Sequence, residues 1–337
     1  MKPLAVSMGD PAGIGLELAA RAWSERERLG LPPFFLVGDP DALERAAKRA
    51  SLPVPPMRIA EQADALAYAA DTLSVLHTPL AMEESPGEPS PANATATIDA
   101  IERGVACVMH GHASALTTLP IAKAVLHSAD FGFPGHTEFI AHLTASAAPT
   151  GARGPVMMLA GPTLRVALAT IHIPLAKVGA QLTRQKITEI GQVLHEALVR
   201  DFGIAAPRIA LCGLNPHAGE RGGIGREEIE MIAPAAAILR ARGIDISDPK
   251  PPDSLFHEEA RTRYDAVVAL YHDQGLIPIK TLHFWEAVNV TLGLPIVRTS
   301  PDHGTGFDIA GKAKARPDSF IAALKLAWDM AQRRAAA

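Results

Sequence analysis

Short apolar runs ending in glycine or a polar turn alternate along this chain with longer stretches of helical periodicity. Leu4 to Met8 is the first such run. It opens into Gly9-Asp-Pro-Ala-Gly-Ile-Gly15, and Leu16 to Trp23 then places apolar residues at helical spacing, which predicts a strand, a glycine loop and a helix. Phe34-Phe-Leu-Val-Gly38 followed by Asp41 to Arg49 repeats the theme. Ala94 to Gly104 reads as a helix, and Ala106-Cys-Val-Met-His-Gly111 as the next strand, although His110 and His112 sit awkwardly there. Strands alternating with helices predict a parallel α/β layer.

Further on, Pro155 to Gly161 and Leu164 to Thr170 read as a hairpin-like pair, Gln181 to Arg200 and Arg226 to Arg242 as helices, and Arg208 to Gly213 and Tyr264 to Leu270 as buried strands. Thr137 is suited to begin a helix carrying Phe139, Ile140 and Leu143. A last helix is predicted from Asp318 or Ser319 onward. The region from Ser51 to Pro91 is rich in proline and small residues, and its stretch Glu83 to Pro91 reads as an exposed connection. Asp248-Pro-Lys-Pro-Pro-Asp-Ser-Leu-Phe256 reads as a proline-stiffened loop.

With 337 residues, 48% of them hydrophobic and 20% charged, the chain is long enough for two α/β lobes with large cores. A net charge of −4 with no run of Lys or Arg points away from nucleic acid and from anionic membrane surfaces, and toward small-molecule partners. Cys107 and Cys212 lie far apart in no paired spacing, which argues against a disulfide framework and fits a reducing compartment. With no signal-peptide pattern and no apolar run of the ~20 residues that span a bilayer, the expected location is the cytoplasm.

Candidate chemistry concentrates in the stretch from Tyr264 to Lys312. His172, His217 and His272 each fall at the predicted end of a strand, where open parallel sheets present their binding groups. Any one of them alone is more often an ordinary hydrogen-bonded loop residue. Their shared placement points to a three-imidazole divalent-metal site, and imidazole suits Zn²⁺, Co²⁺ or Ni²⁺. Lys280, Asn289 and Arg298 follow about nine residues apart, at intervals that place them on successive strand ends or loops, where Lys and Arg hold phosphate or carboxylate. The pair His136-Thr137 at a helix start can likewise donate to a phosphate. Gly13 and Gly15 permit close backbone approach to a phosphate or nicotinamide. Their spacing is not the dinucleotide fingerprint, so the loop taken alone is also compatible with a plain tight turn.

Met8-Gly-Asp-Pro-Ala-Gly-Ile-Gly15, Gly135-His-Thr-Glu-Phe139, Gly213-Leu-Asn-Pro-His-Ala-Gly-Glu220, Tyr271-His-Asp-Gln-Gly275, Asn289-Val-Thr-Leu-Gly-Leu-Pro295 and Arg298-Thr-Ser-Pro-Asp-His-Gly304 closely resemble the 4-hydroxythreonine-4-phosphate dehydrogenase family of vitamin B6 biosynthesis, in matching order over nearly the whole chain. The segment Asp302 to Lys312 is also similar to the nucleotide loop of the isopropylmalate and isocitrate dehydrogenases. The resemblance implies two α/β/α lobes with the site in the cleft between them. One would hold residues 1–132 with 283–337 and the other residues 133–282. It further implies that His172, His217 and His272 ligate a divalent metal, Zn²⁺, Co²⁺ or Mg²⁺, with His272 supplied across a homodimer interface. His136, Thr137, Lys280, Asn289 and Arg298 would hold the phosphorylated substrate, and His303, Gly304, Asp308 and Ile309 would line the adenosine of NAD or NADP.

The reaction implied is oxidation of 4-phosphohydroxy-L-threonine at C3 followed by loss of CO₂. Asp253, Asp273 and His136 are the candidates for its base. One departure bears on substrate choice: the family's Gly-Pro-Leu-Pro-Ala-Asp-Thr type of loop is here Asp248-Pro-Lys-Pro-Pro-Asp-Ser254, with Asp253 kept. A paralogue oxidising 4-phosphoerythronate or 4-phosphothreonate therefore stays open. From another class, so does a phosphate acyltransferase on a similar scaffold, which would need neither nicotinamide nor a three-histidine metal.

Overall fold

A computed structural model describes residues 2–59, 72–148 and 151–336 of the chain. Its strands are, in order, β1 (Leu4–Ser7), β2 (Phe34–Gly38), β3 (Pro56–Ile59), β4 (Leu73–His77), β5 (Leu116–Thr118), β6 (Val156–Ala160), β7 (Arg165–Leu168), β8 (Arg208–Cys212), β9 (Asp245–Lys250), β10 (Ala266–Ala269), β11 (Val288–Leu292) and β12 (Arg298–Pro301). The chain divides into two compact units, Met1–Ala147 with Pro295–Gln332, and Ala148–Leu294 with Arg333–Ala337.

In the first unit the strand order is β3-β4-β2-β1-β5-β12, parallel throughout. Phe34, Phe35, Leu36 and Val37 of β2 are all buried, as expected of a parallel strand covered on both faces. Phe320 of the last helix, Asp318–Ala336, meets Phe34 edge to face at 6.4 Å. The Thr117 and Thr299 hydroxyls bond across β5 and β12 at 3.1 Å, which ties the late strand to the early ones.

In the second unit the order is β11-β6-β7-β10-β8-β9. The hairpin β6-β7 and the pair β11-β6 are antiparallel, and β7, β10, β8 and β9 run parallel. The core there gathers Leu159, Val166, Leu168, Cys212, Val267, Ala269 and Ile279. Buried Asp201 receives both Arg200 and Arg334, so the C-terminal residues are ion-paired to the end of the helix Arg184–Arg200.

Several elements differ from the sequence reading. Residues 106–109 are not a strand but the end of one helix, Ala94–Met109, whose buried positions Thr97, Ala100, Ile101, Gly104 and Val105 keep helical spacing; the strand is β5. A short apolar run fits either period, and here the helical face continues through it. The region from Ser51 to Pro91 contains β3 and β4, while its residues 60–71 lie outside the described ones. Within Glu83 to Pro91, Glu84 is buried beneath Arg45 and Arg49 rather than exposed. Asp248, Pro249 and Lys250 belong to β9, the last strand in its unit's order, where a proline costs no ladder bond to a further neighbour. Lys280 lies neither on a strand end nor in a loop but in the helix His272–His283, which runs through Pro278. A mid-helix proline costs about 3 kcal/mol, and burial of Gln274, Gly275 and Ile279 against the core offsets it.

Candidate active site

β7, β10 and β8 are neighbours and parallel, so the residues that follow them leave the sheet at the same end. His172 follows β7, His217 follows β8, and His272 follows β10 as the first residue of the helix His272–His283. The rings of His172 and His272 stand 5.7 Å apart and line a cavity of about 280 Å³ with Ile171, Tyr271 and Asp273. His272 Nδ1 is 2.7 Å from the Asp273 carboxylate, which can only accept, so Nδ1 carries the proton and Nε2 keeps its lone pair.

His217 arrives by unusual backbone. His217 to Arg221 all have positive φ, at 52°, 51°, 78°, 42° and 56°, and only Gly219 among them lacks a Cβ. A left-handed turn of L-residues costs roughly 1–2 kcal/mol per residue and persists only where its surroundings enforce it. Beneath the entry to this turn lies Glu228, 4% exposed, whose Oε1 accepts from the Leu214 and Asn215 amides at 2.7 and 2.8 Å. Its Oε2 accepts from Asn215 Nδ2 at 2.9 Å and would lie 2.6 Å from any Cβ at Gly219. Among the described residues of one chain, no three His, Cys, Asp or Glu side chains close on a single point. The chemistry of the set, three imidazoles presented from one sheet end with a carboxylate behind one of them, fits a borderline divalent cation.

The same unit holds Lys280, Asn289 and Asp253. Lys280 Nζ lies 5.4 Å over the Phe284 ring. Asn289 sits on β11, and its Oδ1 is buried and takes no hydrogen bond. Asp253 is exposed in the short turn Pro252–Ser254.

The first unit holds Arg298, His136 and Thr137. Arg298 opens β12, is 2% exposed, and donates from Nη2 to Thr118 Oγ1 at 2.6 Å. Burial pushes its guanidinium down to about 10, against the pull of Glu138. His136 and Thr137 open the helix His136–Leu143. Burial, then the charges of Arg298 and Lys123, hold the His136 ring well below its ordinary value, and its Nε2 is shut off from solvent without a partner. Lys123, which stands in none of the sequence motifs, brings its Nζ within 3.3 Å of where a Cβ on Gly135 would stand. Arg298 and Lys123 thus act on the His136 ring at the start of a helix, with the Glu138 carboxylate also close by.

The glycine loop is also in this unit. Ala12 N donates to buried Asp10 at 3.0 Å, and burial raises the Asp10 carboxyl. Ile14 N bonds Thr305 O at 2.9 Å, and Gly87 N bonds Ala12 O at 2.8 Å, so three loops lie stacked. A Cβ on Gly13 would stand 2.8 Å from Thr305 O, so the bare α-carbon there admits the 304–306 backbone. Gly15 begins the helix Gly15–Ser24. In the third loop His303 Nδ1 donates to Gly304 O at 2.9 Å, Ile309 N to Gly306 O at 3.1 Å, and Lys312 Nζ to Asp308 O at 2.6 Å.

Comparison with known proteins identifies the family. The family model of the pyridoxal phosphate biosynthetic protein PdxA matches residues 31–327. The 4-hydroxythreonine-4-phosphate dehydrogenase of Caulobacter vibrioides is 53% identical over 333 residues, covering 99% of this chain and 98% of that one. The crystal structure of the Klebsiella pneumoniae 4-hydroxythreonine-4-phosphate dehydrogenase superposes with a TM-score of 0.86 at 39% identity, covering 98% of this chain and 100% of that one. Isocitrate dehydrogenase from Methylococcus capsulatus, at 15% identity and a TM-score of 0.50 over 100% of this chain and 87% of that one, shares the fold, so the fold class is that of the isopropylmalate and isocitrate dehydrogenases. The chain belongs to the PdxA family, whose named relatives are 4-hydroxythreonine-4-phosphate dehydrogenases.

Proposed function

We propose that this enzyme oxidises 4-phosphohydroxy-L-threonine at C3 with NAD⁺ or NADP⁺. The product would be 2-amino-3-oxo-4-phosphooxybutanoate, a β-keto acid that loses CO₂ to give 3-amino-2-oxopropyl phosphate in pyridoxine 5′-phosphate biosynthesis. The carrying observation is the issue of His172, His217 and His272 from one end of three adjacent parallel strands, in a chain whose relatives bear that enzyme's name.

In this reading His172, His217 and His272 hold a divalent cation, Zn²⁺, Co²⁺ or Mg²⁺. When bound it supplies Lewis acidity toward the C3 oxygen, in the alcohol and in the ketone. Asp273 orients the His272 ring. Arg298, His136, Thr137, Lys280 and Asn289 bind and orient the phosphorylated substrate, and such positioning contributes up to ~7–11 kcal/mol in well-aligned systems. A neutral His136 can donate one proton to a phosphate oxygen without adding a third cation beside Arg298 and Lys123. Gly13 and Gly15, with His303, Gly304, Asp308 and Ile309, would line the nucleotide. Of the base candidates, Asp273 is engaged with His272 and His136 is assigned to the phosphate, which leaves the exposed Asp253 as our choice.

We place the enzyme in the cytoplasm as a homodimer that shares His272 across its interface. Exposed Ile277, Phe284 and Trp285, on and just beyond the helix that begins at His272, offer an apolar face for such contact. Among the described residues no helix is long and apolar enough to cross a membrane. One assay tests the reading. Reduced nicotinamide formation is followed with 4-phosphohydroxy-L-threonine, 4-phosphoerythronate and 4-phosphothreonate, with each cofactor and each of Zn²⁺, Co²⁺ and Mg²⁺. The first substrate should be preferred and chelation should abolish turnover; preference for another substrate, or activity in the metal-free protein, overturns it.

A further inference from the structure

We propose that Glu228 is a positioning residue for His217, holding the left-handed turn that presents this imidazole to its metal. The assignment rests on the metal reading above. Buried carboxylates in this chain meet arginine, as Glu84 and Asp201 do, or backbone amides next to them in sequence, as Asp10 does. Glu228 forms no ion pair among the described residues. Its oxygens are used on one short segment: the Leu214 amide, the Asn215 amide and the Asn215 side chain. Three N–H groups converging on one side chain need two acceptor oxygens, which a carboxylate has and an amide lacks.

Asn215 is also held by Glu227 Oε2 at 2.7 Å, so the residue two before His217 is clamped from both acidic neighbours. The turn from His217 to Arg221 then begins with its direction fixed, and Gly219 closes it over Glu228 because a side chain there would strike the carboxylate. The turn closes on its own backbone bonds, Ala218 N to Asn215 O and Gly223 N to Glu220 O at 3.1 Å each, and the clamp on Leu214 and Asn215 fixes where it starts. Release of the clamp would swing the His217 ring away from the end of β8. A merely structural carboxylate would stabilise the fold irrespective of which side chain stands at position 217; a positioning carboxylate acts through His217 alone.

The full-length chain, stripped of metal by chelation, is titrated with Co²⁺ and Zn²⁺ by calorimetry and by the Co²⁺ visible spectrum, for wild type, Glu228→Gln, His217→Ala and the double variant. Glu228→Gln should weaken binding about 10–100-fold and alter the Co²⁺ band. In the His217→Ala background it should change neither. Should Glu228→Gln fail to fold, Glu228→Asp, which keeps the charge and shortens the reach, goes through the same cycle with the same expectation. An unchanged metal affinity in the folded variant, or an equal loss with and without His217, overturns the proposal. A wild-type protein that binds no ion overturns the metal reading itself, and this assignment with it.

Discussion

His272 Nδ1 donates to the Asp273 carboxylate at 2.7 Å, so the neighbour in sequence fixes the tautomer of a candidate metal ligand. Asp273 is mostly exposed, so its removal should leave the fold intact. Asp273→Ala is expected to lower Co²⁺ or Zn²⁺ affinity about 10-fold by calorimetry, at an unchanged denaturation midpoint. Equal affinity in the two proteins would mean the ring is oriented by something else.

Arg298 is a buried guanidinium bonded to Thr118 and set beside His136. Lysine in its place keeps a charge but loses the planar fork. Arg298→Lys is expected to raise KM for the phosphorylated substrate roughly 10–100-fold, the equivalent of one charge-assisted hydrogen bond. The Kd for NAD(P)⁺ should hardly move. Steady-state kinetics with a parallel nucleotide titration separates the two, and an unchanged KM removes Arg298 from the anion site.

The depressed His136 ring makes stability depend on pH. Below its ordinary value of 6.5 the unfolded chain takes up a proton that the folded chain refuses, so unfolding becomes easier as pH falls. Urea midpoints measured from pH 7.5 to 5.5 should therefore drop more steeply for wild type than for His136→Gln, whose side chain does not titrate. Identical slopes would show that His136 protonates equally in both states.

Asp201 has a fully buried side chain between Arg200 and Arg334. Both arginines bond its two oxygens and hold its carboxyl below the usual range despite burial. Deleting one member of such a cluster leaves charge without compensation. Asp201→Ala should cost about 3 kcal/mol in chemical denaturation. A loss under 1 kcal/mol would mean the arginines rehydrate freely.

Sequence alone determined the elements whose signal is local. The run Phe34 to Gly38, the hairpin of β6 and β7, and the helix that ends at Arg200 need only period to be read, although its start at Thr183 rather than Gln181 does not follow from period. The glycine-punctuated motifs that mark the family are likewise contiguous blocks of chain. Tertiary structure decided the rest. Whether residues 106–109 continue a helix, and whether a helix survives Pro278, depends on what each segment packs against. That Arg298 lies against Thr118, with His136 and Lys123 in its field, requires a late strand to pair with an early one, a relation no local pattern encodes. The left-handed path of His217 was illegible for the same reason. Its conformation runs against intrinsic backbone preference, and its entry is fixed by Glu228, a carboxylate that acts there only once the chain has folded back over it.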